Sequence, residues 1–266
     1  MNMKKNFPVE LVYQVFSLLI AFILVHALYV TVIRPQANSF LEQEAANMQA
    51  NPDHVQQRSF FVVIKDYEQE TCFVLMLWAF AILGFKGKTT YSQQKLLEQD
   101  MLRLPDDLPI GAEDTRDLAA RLRALPGTVQ EYLLPRALLT AIERFGATRN
   151  VQDVSTAARD ICESEGERME SELSIIRYIA WAIPSVGFIG TVRGIGDALG
   201  QAHRAVEGDI TGVTSSLGVA FNSTFIALVI SIVLMFFIHQ LQLMQERLVL
   251  DSERYIDHWF IRRLQT

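Results

Sequence analysis

The chain has 266 residues, half of them hydrophobic and a fifth charged, with a net charge of −6. That composition belongs to a membrane protein with a modest water-facing part, and the acidic balance gives no case for nucleic-acid binding. Two cysteines, Cys72 and Cys162, provide no disulfide framework, and His26, His54, His203, His239 and His258 lack metal-ligand spacing, so neither a metal nor a cofactor is expected.

The first predicted element is a span over 12–33, apolar apart from Tyr13, Gln14, Ser17, His26, Tyr29 and Thr31. Lys4 and Lys5 precede it, as they would in a secretory leader. The apolar run is too long for a leader, however, and no small-x-small cleavage pattern follows, so a retained helix is expected. His26 reads as a packing or hydrogen-bonding residue. A loop over 34–70 leads to a short second span, 71–85, that can be extended toward Glu68. The first domain boundary is therefore drawn as 1–33, followed by a periplasmic loop.

Residues 86–174 read as a helical, water-facing domain. Asp114 is placed to cap a helix over 115–125, which Pro126–Gly127 ends. Pro135 is placed to open another that runs to Phe145, with Gly146 as its stop. From about Asp153 a helical pattern (Val154, Ala158, Ile161, Met169, Leu173, Ile176) runs on toward a third span without a proline. Arg116, Asp117, Arg121 and Arg123 are most simply a solvated face. The third and fourth spans, 175–200 and 217–240, are each long enough to cross a bilayer. After them 241–266 repeats helical spacing with Leu241, Met244, Leu248, Tyr255 and Trp259. The fold class expected is an all-α membrane protein with four transmembrane helices, the third and fourth extended into a helical cytoplasmic domain. Lys and Arg concentrate in 86–174 and in the tail, which places both termini and the large loop inside a multi-pass protein.

The last two spans are not greasy all round. At about 100° per residue, Pro184, Gly187, Thr191, Gly194 and Ala198 share one face of the third. Ala220, Thr224, Ala227 and Ser231 do the same in the fourth. Each helix thus carries a small-residue stripe with one threonine in it. Such stripes let backbones approach and leave hydroxyls for a partner or water. Spacings such as Gly190 to Gly194 and Gly196 to Gly200 are also common in plain helix packing, and for either stripe alone that reading is the simpler one.

In the third span, the run Pro184-Ser185-Val186-Gly187-Phe188-Ile189-Gly190-Thr191-Val192-Arg193-Gly194 resembles the P-x-x-G-x-x-G-T-V-x-G pattern of the MotA/TolQ/ExbB proton channel family. In the fourth, Asn222-Ser223-Thr224-Phe225-Ile226-Ala227-Leu228 is similar to a second family stretch. The resemblance covers about a quarter of the chain, 174–240. Four spans and a large inner loop look like the MotA branch, and the G-T-V-x-G wording like the TolQ/ExbB branch. The resemblance implies a homopentamer in a bacterial inner membrane around a dimer of a single-span partner of the ExbD/TolR/MotB kind. That partner carries an aspartate in its membrane helix, and ion passage turns one ring against the other. Matched position by position, Thr191 and Thr224 fall on the family's pore-lining hydroxyls. Pro184 falls on the proline at the cytoplasmic start of the third span. Gly187, Gly190, Gly194, Ala220, Ala227 and Ser231 are the channel-helix packing residues.

A proton path needs a group that holds and releases a proton, and threonine cannot store one near neutral pH. No carboxylate lies deep in any of the four predicted spans, so the acid is expected from a partner. Arg193 departs from the family pattern, which has an apolar or aromatic residue there. It stands four residues before Asp197, and the two are expected to pair along the helix, most simply as charges snorkelling at the interface and, on the functional reading, as outer-mouth charges that gate or select ions. Asn222 is the second departure and points away from Thr224. The competing readings are a non-conducting membrane scaffold that recruits partners and, less favoured, a secondary transporter, which would want an inverted repeat. An enzyme has least support, since no nucleophile–base pair stands out.

Overall fold

The computed structural model describes residues 9–50, 59–99, 101 and 109–265. Lys4 and Lys5, part of the 34–70 loop and a short part of 86–174 lie outside the described residues. Among the described residues the thirteen short and long elements in chain order are all helical, and extended pairing is confined to one isolated bridge, Ile110 to Leu264. Four helices among the described residues are long and apolar enough to cross a membrane. The contacts divide the chain into two compact units, residues 1–83 with 175–238 and residues 84–174 with 239–266.

The first unit begins with α1, Val9–Leu28, which runs through a π turn at Tyr29–Ile33 into α2, Arg34–Ala50. The wider turn sits directly before Arg34–Pro35, where the missing proline N–H interrupts the regular ladder. The segment expected as a loop over 34–70 is thus largely helical, with a short α3 at Phe60–Ile64 completing it. Polarity misled the sequence reading: α2 is hydrophilic but unbroken by any later proline or glycine within its bounds.

The second span belongs to α4, Tyr67–Leu97, twice the length read from hydropathy alone. Thr89, Thr90 and Ser92 lie within the helix, each hydroxyl donating to the carbonyl four residues back. Antiparallel packing of α1 on α4 is fixed by the Tyr13 hydroxyl donating to the Ala81 carbonyl at 3.1 Å and the Trp78 indole donating to the Gln14 carbonyl at 2.9 Å. The third span is α9, Ser174–Gly200, and the fourth lies in α11, Thr211–Trp259, with short α10, Ala202–Val206, between them.

The second unit packs α5 (Thr115–Arg123), α6 (Gly127–Gln130), α7 (Leu133–Thr148) and α8 (Val151–Glu172) with the end of α11 and a terminal 3-10 turn, Ile261–Arg263. Its core joins Leu118 and Leu122 of α5, Leu138, Ile142 and Phe145 of α7, Val154 and Ala158 of α8, and Leu248, Ile256 and Phe260 toward the chain's end. Phe145 is fully buried at its centre. Phe145→Ala is expected to destabilise this unit by about 3–5 kcal/mol, read as early protease cutting within 109–174 during heating.

Three local expectations change. Asp114 stands at the start of α5, but its carboxylate accepts the Gly111 N–H at 2.8 Å instead of capping the helix. Gly146 does not stop α7, which continues to Thr148 and ends where Arg149 turns left-handed at φ 53°. The glycine serves packing: a β-carbon there would stand 3.0 Å from Thr115 Oγ1 of α5. The cap of α8 is Asn150, whose side-chain oxygen accepts the Gln152 N–H at 2.9 Å, so that helix starts before Asp153. Leu173 is the single turn residue that separates α8 from α9.

Candidate functional site

Pro184 lies inside α9 and cannot donate to the Ala180 carbonyl four residues back. In a membrane helix that orphaned acceptor must find a partner. Ser231 of α11 supplies it, donating from Oγ at 3.0 Å. Proline in one stripe and serine in the other are thus complementary halves of one contact, and they set the antiparallel register of α9 against α11.

From that contact the two stripes mesh residue by residue. A β-carbon on Gly187 would stand 2.5 Å from Ala227 Cβ and 3.1 Å from the Ser223 carbonyl. On Gly190 it would stand 2.5 Å from Ser223 Cβ, and on Gly194 2.7 Å from the Ser216 carbonyl and 2.8 Å from Ala220 Cβ. Ala220 and Ala227 are fully buried. Gly187, Gly190, Gly194, Ala220, Ala227 and Ser231 therefore come together within one chain, as does Pro184. Gly196 and Gly200 do not: β-carbons there would meet nothing within 4 Å.

Thr191 and Thr224 face each other in the middle of this seam, their hydroxyls in hydrogen-bond contact. Thr191 Oγ1 also lies 3.0 Å from the Ala220 carbonyl, and Thr224 Oγ1 lies 3.1 Å from the Gly187 carbonyl. Two hydroxyl protons thus serve three acceptors: two carbonyls and whichever oxygen of the pair is not donating within it. The pair has two polarities: Thr191 donates to Thr224 and Thr224 to Gly187, or Thr224 donates to Thr191 and Thr191 to Ala220 or, at 3.4 Å, to Gly187, and each leaves one carbonyl with only its helical N–H. Both threonines are half-buried, so spare lone pairs stay within reach of an incoming group. Such a pair can order water or hold a carboxylic acid, and it can reverse its polarity without moving a heavy atom.

Arg193 does not pair with Asp197. Its Nε lies 2.7 Å from Glu68 Oε1 and its Nη2 donates to Glu68 Oε2 at 2.8 Å, a two-pronged pair across to α4. Asp197 is exposed, and its backbone carbonyl accepts from Gln201. The longer reach to α4 wins because both carboxylate oxygens match the guanidinium fork there. Asn222 is half-buried, on a different side of α11 from the seam.

Sequence reasoning missed the polar start of α4. Gln69 is fully buried and donates from Nε2 to the Ser223 hydroxyl at 3.3 Å and to the Val63 carbonyl at 3.2 Å. Glu70 is buried too, with His26 Nδ1 2.7 Å from one oxygen and Arg34 on the other. Arg34 also lies over the Tyr67 ring at 4.3 Å. The signal was present as Tyr67-Glu68-Gln69-Glu70, three polar side chains at the head of an apolar run, where at least one must face inward. Carboxylates therefore do reach the helix ends of this unit, but both oxygens of Glu68 and both of Glu70 are already engaged.

With that geometry established, comparison with known proteins becomes informative. Residues 130–254 match the family model of the MotA/TolQ/ExbB proton channel family. The matched stretch runs from α6 through the whole of α9 and most of α11, so it contains both threonines and both small-residue stripes. No curated protein and no solved structure matches the chain. The family resemblance read from Pro184 to Gly194 is borne out by that match, which together with the four apolar helices among the described residues supports a multi-pass membrane protein with a general ion-channel, energy-transducing role. Helices α1 to α5 lie outside the matched stretch.

Proposed function

We propose that this protein is an inner-membrane subunit of an ion-driven rotary stator or energy-transducing channel, using protons or sodium ions. In this reading it forms a homopentamer around a dimer of a single-span protein like ExbD, TolR or MotB, whose membrane aspartate carries the ion. The second unit and both termini lie in the cytoplasm, in keeping with the Lys and Arg bias of 86–174 and the tail.

The observation that carries the reading is the half-buried Thr191–Thr224 pair on the family signature. It offers hydroxyls to a carboxylate, while Glu68 and Glu70 at the head of α4 are tied to Arg193, Arg34 and His26. Two hydroxyls that cannot themselves store a proton describe half of a proton-transfer site. The other half has to come from a second chain.

Affinity purification of the tagged protein from membranes, followed by mass spectrometry, tests this. A single-span protein with a membrane-embedded Asp, recovered at fewer copies than this chain, is the expected result. A stable oligomer of this chain alone, with no acid-bearing partner, would instead favour a scaffold, because the glycine and alanine stripes are already used within the chain.

A further inference from the structure

We infer that the first turn of α4 is a brace for the threonine pair, and that Arg193 is a positioning residue acting through Glu68 rather than a charge offered to ions at the channel mouth. The inference rests on the proposed role of Thr191 and Thr224. It adds a working part from outside the stretch that carries the family match.

Three successive contacts of α4 bear on the seam. Glu68 takes both prongs of Arg193, and its Cγ stands 3.1 Å from where a β-carbon on Gly190 would be. Gln69 donates to Ser223. One turn on, the buried Cys72 thiol points to the Ile183 carbonyl at 3.7 Å. Gly190 immediately precedes Thr191, Ser223 immediately precedes Thr224, and Ile183 immediately precedes Pro184. The same helix turn therefore touches the two channel helices at the residues next to each hydroxyl. A shift of α4 would be passed to both threonines together. Because the glycine seam has no slack, a displacement of either neighbour changes the separation of the hydroxyls themselves.

Burial indicates which way the pair works. The Glu68 side chain is 11% exposed and that of Arg193 is 44% exposed. Removing Arg193 strands a buried carboxylate, which costs more than losing the pair as a whole. Removing Glu68 leaves an arginine that can turn its head toward water. Arg193→Gln is therefore expected to be the worse single change, and Glu68→Gln added to it is expected to be corrective. Gln69 is the decisive control because it carries no charge. In a brace its loss matters; at a charged mouth it does not.

The test uses the full chain in its native membrane, with Arg193→Gln, Arg193→Gln/Glu68→Gln, Arg193→Lys and Gln69→Leu compared for thermal unfolding after extraction and for ion-driven work. Expected are roughly tenfold losses of work for Arg193→Gln and Gln69→Leu, from a lost charged or buried hydrogen bond. Arg193→Lys should fall between them and the wild type because it keeps the charge but loses the fork, and the double variant should recover unfolding temperature and work above Arg193→Gln. Full work in both Gln69→Leu and Arg193→Lys would overturn the brace and leave a mouth charge. Unfolding temperatures that add without coupling in the Arg193 and Glu68 cycle would overturn the pairing itself. If Arg193→Gln fails to accumulate, accumulation of the double variant becomes the readout, with recovery supporting the brace and its absence overturning it. Thr191→Val in the same assay keeps the two readings apart. If it works normally the ion-path reading fails, while the unfolding cycle still decides whether Arg193 and Glu68 are coupled.

Discussion

Thr191→Val is expected to abolish ion-driven work while leaving the protein in the membrane and assembled. Valine has nearly the shape of threonine, so the seam between α9 and α11 keeps its packing. Thr224 can still donate to the Gly187 carbonyl, and the Ala220 carbonyl keeps its helical N–H, so no buried group is orphaned. The stability cost should stay near about 1 kcal/mol, the net worth of one internal hydrogen bond. The functional cost is of another kind. Without the second hydroxyl the pair has one arrangement instead of two, and an arriving acid finds a methyl group where an acceptor stood. A loss of tenfold or more is expected, corresponding to about 1.4 kcal/mol or more at the step that uses the contact. Thr224→Val should behave alike, and Thr191→Ser should retain part of the activity because the hydroxyl remains. Ion uptake by vesicles containing the assembled complex measures this. Wild-type uptake by the Thr191→Val variant, with normal unfolding, would remove the threonine pair from the ion path.

The parts of this fold legible in sequence are those governed by local rules. Hydropathy found four apolar helices, and angular spacing put Gly187, Thr191 and Gly194 on one face with Ala220, Thr224 and Ala227 on another. What it could not reveal was that these faces meet. The Pro184–Ser231 contact explains why they do: a carbonyl freed by proline needs a donor, and only three dimensions show which hydroxyl answers. Element ends were harder to read, because a cap depends on where a side chain turns. Asp114 looked like a cap but holds Gly111, and Gly146 looked like a stop but makes room for Thr115. Arg193 illustrates the same limit for charges. Asp197 stands four residues away in sequence, yet Glu68, far away along the chain, offers two oxygens to the guanidinium fork. The wording of the third span pointed to the family whose model matches residues 130–254. It was silent on α4, whose polar first turn lies outside the matched stretch; those four letters require that one side chain face inward without saying which, or toward what.

The glycines provide the second large effect, and they separate packing from pattern. Gly187→Ala and Gly194→Ala add a single carbon each, but it would land 2.5 Å from Ala227 Cβ in the first case and 2.7 Å from the Ser216 carbonyl in the second. Neither neighbour is the free end of a flexible side chain, so the helices must move apart along the length of the seam. That movement also opens the Pro184–Ser231 contact and the threonine pair, leaving polar groups without partners in an apolar surround. A destabilisation of about 3 kcal/mol or more is expected, with loss of ion-driven work following from it. Gly196→Ala is the matched control on the same helix. A β-carbon there meets nothing within 4 Å, and alanine is the better helix former, so that variant should be neutral or slightly more stable. By sequence spacing alone, Gly190 with Gly194 and Gly196 with Gly200 are equivalent pairs. Thermal unfolding of the extracted variants decides between them. Equal, small effects at Gly187, Gly194 and Gly196 would mean that α9 and α11 do not meet along this seam, and would separate the threonines along with the glycines. A sharp difference would confirm that the hydroxyl pair is held at its spacing by glycines that allow no side chain between the two helices.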